Sequence, residues 1–254
     1  MKDIKILGYI PLFYGAEYIE ACIKSMLPFV DKLIIVYVDK ASQGHKTNIP
    51  CPESRELLHG IAVKAVTDMG ANGKFEWHDA GTFPDESSHR NYILQFSEGY
   101  DLIFTLDADE VCEPLDMTKA IEAAYNSDKR HIGISGFINF WRSFSWACYD
   151  SFIPYRFVNL RNLKGTDQTN LRIYHFSTAQ DIKTIKFKWN VSGHKNELRP
   201  DWFEIHEKWK PWINWMDNRG LHPVALDLWL ATPFDKETLP EVLKEHLNFN
   251  KELI

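Results

Sequence analysis

Hydrophobic positions in the first 130 residues switch repeatedly between two periods. Ile4 to Ile10 is an apolar, strand-like run, and Pro11 is expected to end it by removing a backbone donor. Tyr18, Ile19, Cys22, Ile23, Met26 and Leu27 then recur at the three-and-four spacing of one buried helical face, until Pro28 stops the pattern. Leu33 to Val38, LIIVYV, is a continuous apolar run of the kind buried on both faces of a parallel sheet. Together these segments predict a βαβ unit.

The alternation continues. A polar loop over 40–52, with Gly44, Pro50 and Pro52, leads to a helix around Glu53 to Val66. Asn72-Gly73 marks a turn before a strand over Lys74 to Asp79. A helix over Glu86 to Ser97 points Tyr92, Ile93 and Phe96 inward and stops at Gly99. The apolar run Tyr100 to Leu106 is the next strand. Asp116 then reads as the N-cap of a helix through Tyr125, with Met117, Ala120, Ile121 and Ala124 on its apolar face. The order β-α-β-α-β-α-β-α predicts an α/β fold, an open, mostly parallel twisted sheet with helices on both faces.

Past residue 130 the texture changes. His131 to Phe140, Pro154 to Leu160 and Leu171 to Phe176 read as strands, and a closing helix from about Lys236 to Asn248 is expected to bury Leu239, Val242, Leu243 and Leu247. Five of the nine tryptophans fall between Trp202 and Trp229, so this region needs either a sugar-stacking surface or a second small core. The core reading suits most of Trp141, Trp202, Trp209, Trp212 and Trp215; Trp146, flanked by Ser145 and Ala147, is the one assigned to sugar.

Composition narrows the class. With 254 residues and 44% hydrophobic content, the chain can build one sizeable core, which predicts one domain with a C-terminal elaboration. The formal charge of −6, from 29 basic and 35 acidic residues, supplies no overall positive field for nucleic acid or anionic membrane. Cys22, Cys51, Cys112 and Cys148 form neither a CxxC pair nor a Cys/His metal pattern, as expected of reduced thiols in a cytoplasmic protein. No run approaches the roughly 20 apolar residues that span a bilayer, so no integral membrane segment is expected.

The chemistry concentrates in Leu106 to Glu110, LDADE, at the end of a buried strand. In an extended chain Asp107 and Asp109 would face the same way and could share one divalent cation while Ala108 turns inward. Mg²⁺ or Mn²⁺ takes oxygen ligands and leaves positions open for phosphate oxygens. The structural alternative is a solvated acidic turn. A second charged stretch, Lys183, Lys186, Lys188, His194, Lys195 and Arg199, could fold over a diphosphate as a lid or simply be a solvated face.

The first strand and helix, LIIVYVD, the RNYILQFSEGYDLIFTLDADE block and a later YHF together resemble family 2 glycosyltransferases and their GT-A fold. The resemblance covers about residues 4 to 125 and thins past Phe176. It implies a nucleotide-sugar-binding half, 1–130, and an acceptor-binding and closing half, 131–254, of one domain. It also implies a metal-dependent transfer, with Mn²⁺ or Mg²⁺, from a UDP- or GDP-sugar to a glycan or other acceptor hydroxyl, with inversion. Pro11 matches the point where the first strand delivers the base, Asp39 the acidic residue that hydrogen-bonds it, and Arg90 the basic residue near the nucleotide. Asp107 and Asp109 match the DxD motif, the second Asp on the metal and the first on the ribose or metal shell. His175 matches a histidine that completes the metal or diphosphate contacts. The chain departs from the family after the first strand, with Tyr14-Gly15 and a displaced Glu17, and after the second, with DKASQGH.

Inverting transfer needs a general base near the acceptor hydroxyl. Asp150 is the first candidate, at the family's usual separation from the DxD, with Asp167 and Glu197 as rivals. A nucleotidyltransferase also uses strand-end carboxylates and Mg²⁺, but IPLFYGAEY lacks the Gly-rich phosphate loop that would open one. A non-catalytic glycan-binding module on the same fold is the remaining alternative.

Overall fold

The computed structural model describes residues 4–42, 51–149, 151–211, 219–226 and 228–254. Asp150, Trp212, Trp215 and positions 43–50 of the polar loop lie outside them. The chain divides into two compact units, one of Met1–Phe137 and Ile153–Tyr174, the other of Ile138–Phe152 and His175–Ile254.

The first unit is built on β1 (Ile6–Leu12), β2 (Lys32–Tyr37), β3 (Phe75–Asp79) and β4 (Leu102–Thr105), with β1 paired in parallel to both β2 and β4, and β2 to β3. Strand β8 (Tyr155–Asn159) joins β4 antiparallel, giving the order β8-β4-β1-β2-β3. The predicted α/β sheet is thus parallel over four neighbouring strands, β4-β1-β2-β3, with β3 at the edge.

Alternate residues of these strands serve opposite faces. Ile6, Ile10, Leu33, Ile35, Leu102 and Phe104 pack with α1 (Ile19–Met26), α2 (Arg55–Asp68) and α4 (Pro114–Asn126); Leu7, Tyr9, Ile34, Val36 and Ile103 pack with Ile93 and Tyr92 following α3 (Glu86–Asn91). Fully burying such a side chain stabilises by about 1.5–3 kcal/mol. Helices therefore cover both faces, as a continuous apolar strand requires.

Four expectations need correction. Pro11 does not end β1, because backbone groups alternate sides along a strand. The Tyr9 carbonyl accepts from Leu106 and the Leu12 carbonyl from Val38, so Pro11 faces the β4 side, past the last β1–β4 pair, Tyr9 with Thr105. No donor is needed there. The helix at Glu86 keeps α-geometry only to Asn91 and tightens to 3₁₀ over Tyr92–Phe96, with Gly99 at φ 82°. Helix α4 is capped by Glu113, whose carboxylate accepts from the Leu115 amide, with Pro114 at its first position. Asp116 instead holds the Arg172 guanidinium through two bonds of 2.7 and 3.1 Å.

The fourth correction concerns the closing helix. Pro240 interrupts it, leaving a 3₁₀ turn at Lys236–Thr238 and α7 (Glu241–Lys244); Leu239 and Leu243 are buried, but Leu247 is exposed.

In the second unit, the end of β6 (His131–Trp141) runs antiparallel to β7 (Trp146–Cys148), and β7 to β10 (Ala231–Pro233). Trp141, Trp202 and Trp209 are buried together with Ile185 of α5 (Ile182–Val191) and Leu221. Trp202 opens α6 (Trp202–Lys208), and its indole donates to the Leu221 carbonyl at 2.9 Å. These three tryptophans are core. Among the described residues no helix is long and apolar enough to cross a membrane.

Candidate active site

Strand order locates the crevice. From β1 the chain winds outward through β2 to β3, then returns across to β4 on the other side of β1, so the topological switch point lies between β1 and β4. Open α/β sheets bind ligands outside the carboxyl ends of the strands at such a point. The two segments that emerge there are Phe13–Tyr18 after β1 and Leu106–Asp109 after β4.

These segments touch through two small residues. Gly15, at φ 139°, lies so close to Ala108 that a Cβ built on it would be 2.6 Å from the Ala108 Cβ. Glu53 secures the same loop by accepting from the Gly15 and Ala16 amides at 2.7 and 2.9 Å. Cys22 of α1 donates its thiol to the Asp107 carbonyl at 3.4 Å. Ala108 is buried, as anticipated.

The acidic triplet is a turn rather than extended strand. Strand β4 stops at Thr105, and the Glu110 amide donates to the Asp107 carbonyl at 3.0 Å, closing a turn before β5 (Glu110–Cys112). Strand alternation therefore does not set the directions of Asp107 and Asp109. Glu110 tightens the turn from outside the backbone, accepting the Asp107 amide on Oε2 at 3.1 Å.

Two arginines converge on Asp107. Arg90 Nη2, from the last turn of α3, lies 2.9 Å from Oδ1 and 3.1 Å from Oδ2, while its Nε donates to Glu86 at 3.0 Å. Arg156 Nη2 donates to Oδ2 at 3.1 Å. Arg156 also grips Glu110 in a fork, Nε donating to Oε2 at 2.7 Å and Nη2 to Oε1. The charge of Asp107 holds the Arg90 guanidinium well above its ordinary pKa. Burial raises the Glu110 carboxyl, Arg156 pulls it back down, and Asp107 pushes it up again.

Arg156 and Glu110 were not singled out from the sequence. Glu110 is fully buried and the Arg156 side chain is 9% exposed, so their charges depend on each other. Two signals pointed to them: the final acid of LDADE, and a lone charged residue between Tyr155 and Phe157 in β8. Neither identifies the pairing, because the partner lies 46 residues away in sequence.

The remaining candidates have the following contacts. Asp39 is exposed just after β2, its carbonyl accepting from the Cys51 amide at 3.3 Å. Trp146 is half-buried at the start of β7, edge-on to Trp209 with ring centroids 5.4 Å apart. His175 belongs to the second unit, where its Nδ1 lies 2.7 Å from Asn139 Oδ1. Asp167 accepts from the Ser127 hydroxyl at 2.7 Å, and Glu197 faces His194 at 3.1 Å. In the basic run, Lys186 pairs with Glu207 at 2.7 Å and Arg199 with Asp201 at 3.3 Å. Among the described residues no group of three His, Cys, Asp or Glu side chains is arranged to hold a metal by itself.

No family model and no curated protein matches the chain. Solved structures do show partial likeness. One, described as a mycobacterial protein, is 16% identical with a TM-score of 0.38, over 54% of this chain and 42% of its own. S. aureus TarS is 17% identical with a TM-score of 0.32, over 52% of this chain and 21% of its own. Its 1–349 fragment, solved in complex with UDP, is 14% identical with a TM-score of 0.34, over 54% of this chain and 36% of its own. The chain thus spans less than half the length of each.

Proposed function

We propose that this protein is a metal-dependent glycosyltransferase of GT-A type, moving a sugar from a UDP- or GDP-sugar to an acceptor hydroxyl with inversion. The observation that carries the proposal is Asp107, a carboxylate at the switch point between β1 and β4, fastened by Arg90 and Arg156. A nucleoside diphosphate donor calls for both signs of charge in one place. Guanidinium groups recognise phosphate oxygens, and carboxylates hold the hard cation that accompanies them.

The donor set suits Mg²⁺ or Mn²⁺. Asp107 and Asp109 offer only oxygens, and such ions are commonly held by one or two carboxylates with water and substrate phosphates completing the shell. A bound metal would offset the negative charge that grows on the departing diphosphate. In this reading Pro11 and Asp39 meet the nucleoside, Arg90 serves the diphosphate, Trp146 contacts the sugar, His175 completes the metal or diphosphate contacts, and Asp150 takes the acceptor proton.

Incubation with a panel of sugar nucleotides and Mn²⁺, with and without candidate acceptors, tests the proposal. Metal-dependent release of nucleoside diphosphate is the expected result. Release of pyrophosphate would assign nucleotidyl transfer instead, and sugar binding without turnover would assign a glycan-binding module.

A further inference from the structure

The ladder between β8 and β6 carries an irregularity at one position. Ile132 pairs with Phe157 and the next residue, Gly133, pairs with Tyr155, so Arg156 opposes nothing on β6 and is the extra residue of a β-bulge. A bulge re-aims one side chain out of the strict alternation of a strand, and bulges are frequent beside functional sites. Arg156 and Phe157, the residues on either side of the shift in register, are both buried. Gly133, the β6 residue at the irregularity, lies close against Ile153: a Cβ there would be 2.5 Å from Ile153 Cγ2.

The re-aimed guanidinium ends on two acids with different tasks. Glu110 takes Nε and Nη2 in a fork and also accepts the Asp107 amide; Asp107 takes Nη2 on Oδ2. The Asp107 side chain is therefore held at its carboxylate by Arg156 and at its backbone by Glu110. Arg90 differs in kind, because its side chain is 36% exposed and paired with the exposed Glu86. Of the two arginines, one is locked into the protein and the other borders solvent.

We propose that Arg156 and Glu110 are a pair of positioning residues that fix the Asp107 carboxylate for the donor diphosphate and its metal, with the bulge as the device that delivers Arg156. The proposal rests on the functional reading given above. Residues that orient a ligating carboxylate typically change metal affinity or activity 10–100-fold when altered, by roughly the amount a misplaced ligand costs. Neither residue needs to touch the substrate.

Titration calorimetry of the full chain with UDP and with GDP, each with Mn²⁺, tests the assignment well below the melting temperature of every variant. Arg156→Lys keeps the charge and loses the fork; Glu110→Gln keeps the shape and loses the charge. Each should weaken nucleotide binding by about tenfold or more, and the double variant should bind no worse than the weaker single variant, since both act through Asp107. Where Glu110→Gln yields too little folded protein, Arg156→Lys alone carries the test. If the wild type binds and the variants bind within about twofold of it, the positioning role fails while the functional reading stands. If the wild type binds neither nucleotide, both fall together.

Discussion

Gly15 and Ala108 meet at the switch point so closely that position 15 has no space for a side chain. Gly15 would bring a Cβ to 2.6 Å from Ala108 and already occupies a φ of 139°, which side-chain-bearing residues rarely adopt. Gly15→Ala should therefore destabilise the protein by about 1–3 kcal/mol and weaken nucleotide binding by displacing the acidic turn. Urea unfolding and calorimetry on the same sample check both effects. A variant of unchanged stability would mean that the loop after β1 does not pack on the turn.

The buried fork between Glu110 and Arg156 predicts an asymmetric response. Glu110→Ala removes the fork from a guanidinium that is 9% exposed, leaving it the Asp107 carboxylate, and should cost about 3 kcal/mol of folding stability. Replacing both by apolar residues, Glu110→Leu with Arg156→Met, should recover much of that stability while leaving nucleotide binding impaired. Denaturant midpoints for the single and double variants decide the matter; an equal loss in both would argue against mutual dependence.

Arg90 should behave in the opposite way. Its side chain is 36% exposed and its ion pair with Glu86 borders solvent, so Arg90→Ala should change stability by less than about 1 kcal/mol. Binding of a nucleoside diphosphate should nonetheless fall by about tenfold or more, the value of a lost charge-assisted contact to phosphate. A variant with full affinity would remove Arg90 from the donor site.

Acid should loosen the second unit first at His206. Its ring is buried among Trp141 and Trp202 with Nε2 2.9 Å from the Thr178 carbonyl, and burial lowers its pKa to about 4. Because the folded pKa lies below the unfolded one, the unfolded chain takes up the proton more readily. The stability held by neutral His206 is complete above about pH 6.5 and declines as pH falls toward 4, by up to about 3 kcal/mol. Tryptophan fluorescence during unfolding at pH 7 and pH 4.5 should show the loss, and His206→Gln should flatten the difference.

Much of the fold was legible because its central strands are apolar on both faces. LIIVYV and the run before LDADE could only be buried strands, and the alternating elements up to residue 130 left few topologies. Boundaries failed where one local residue was weighed without its tertiary setting. Pro11 looked like a stop, yet its missing donor faces a place where the ladder with β4 has already ended. Asp107 and Asp109 were found through their motif, but their turn and its arginines depend on contacts from α3 and from a bulge on β8. Strand register across 46 residues leaves no periodic trace, so Arg156 and Glu110 emerged only in three dimensions.

Calorimetric titration of UDP and GDP with Mn²⁺ into the wild type and Asp107→Asn is the most direct test of the site. The account predicts metal-dependent binding of at least one of the two nucleotides by the wild type and its loss in Asp107→Asn, with both titrations run well below the variant's melting temperature. Equal affinity in the two proteins, or no binding of either nucleotide to the wild type, would contradict it.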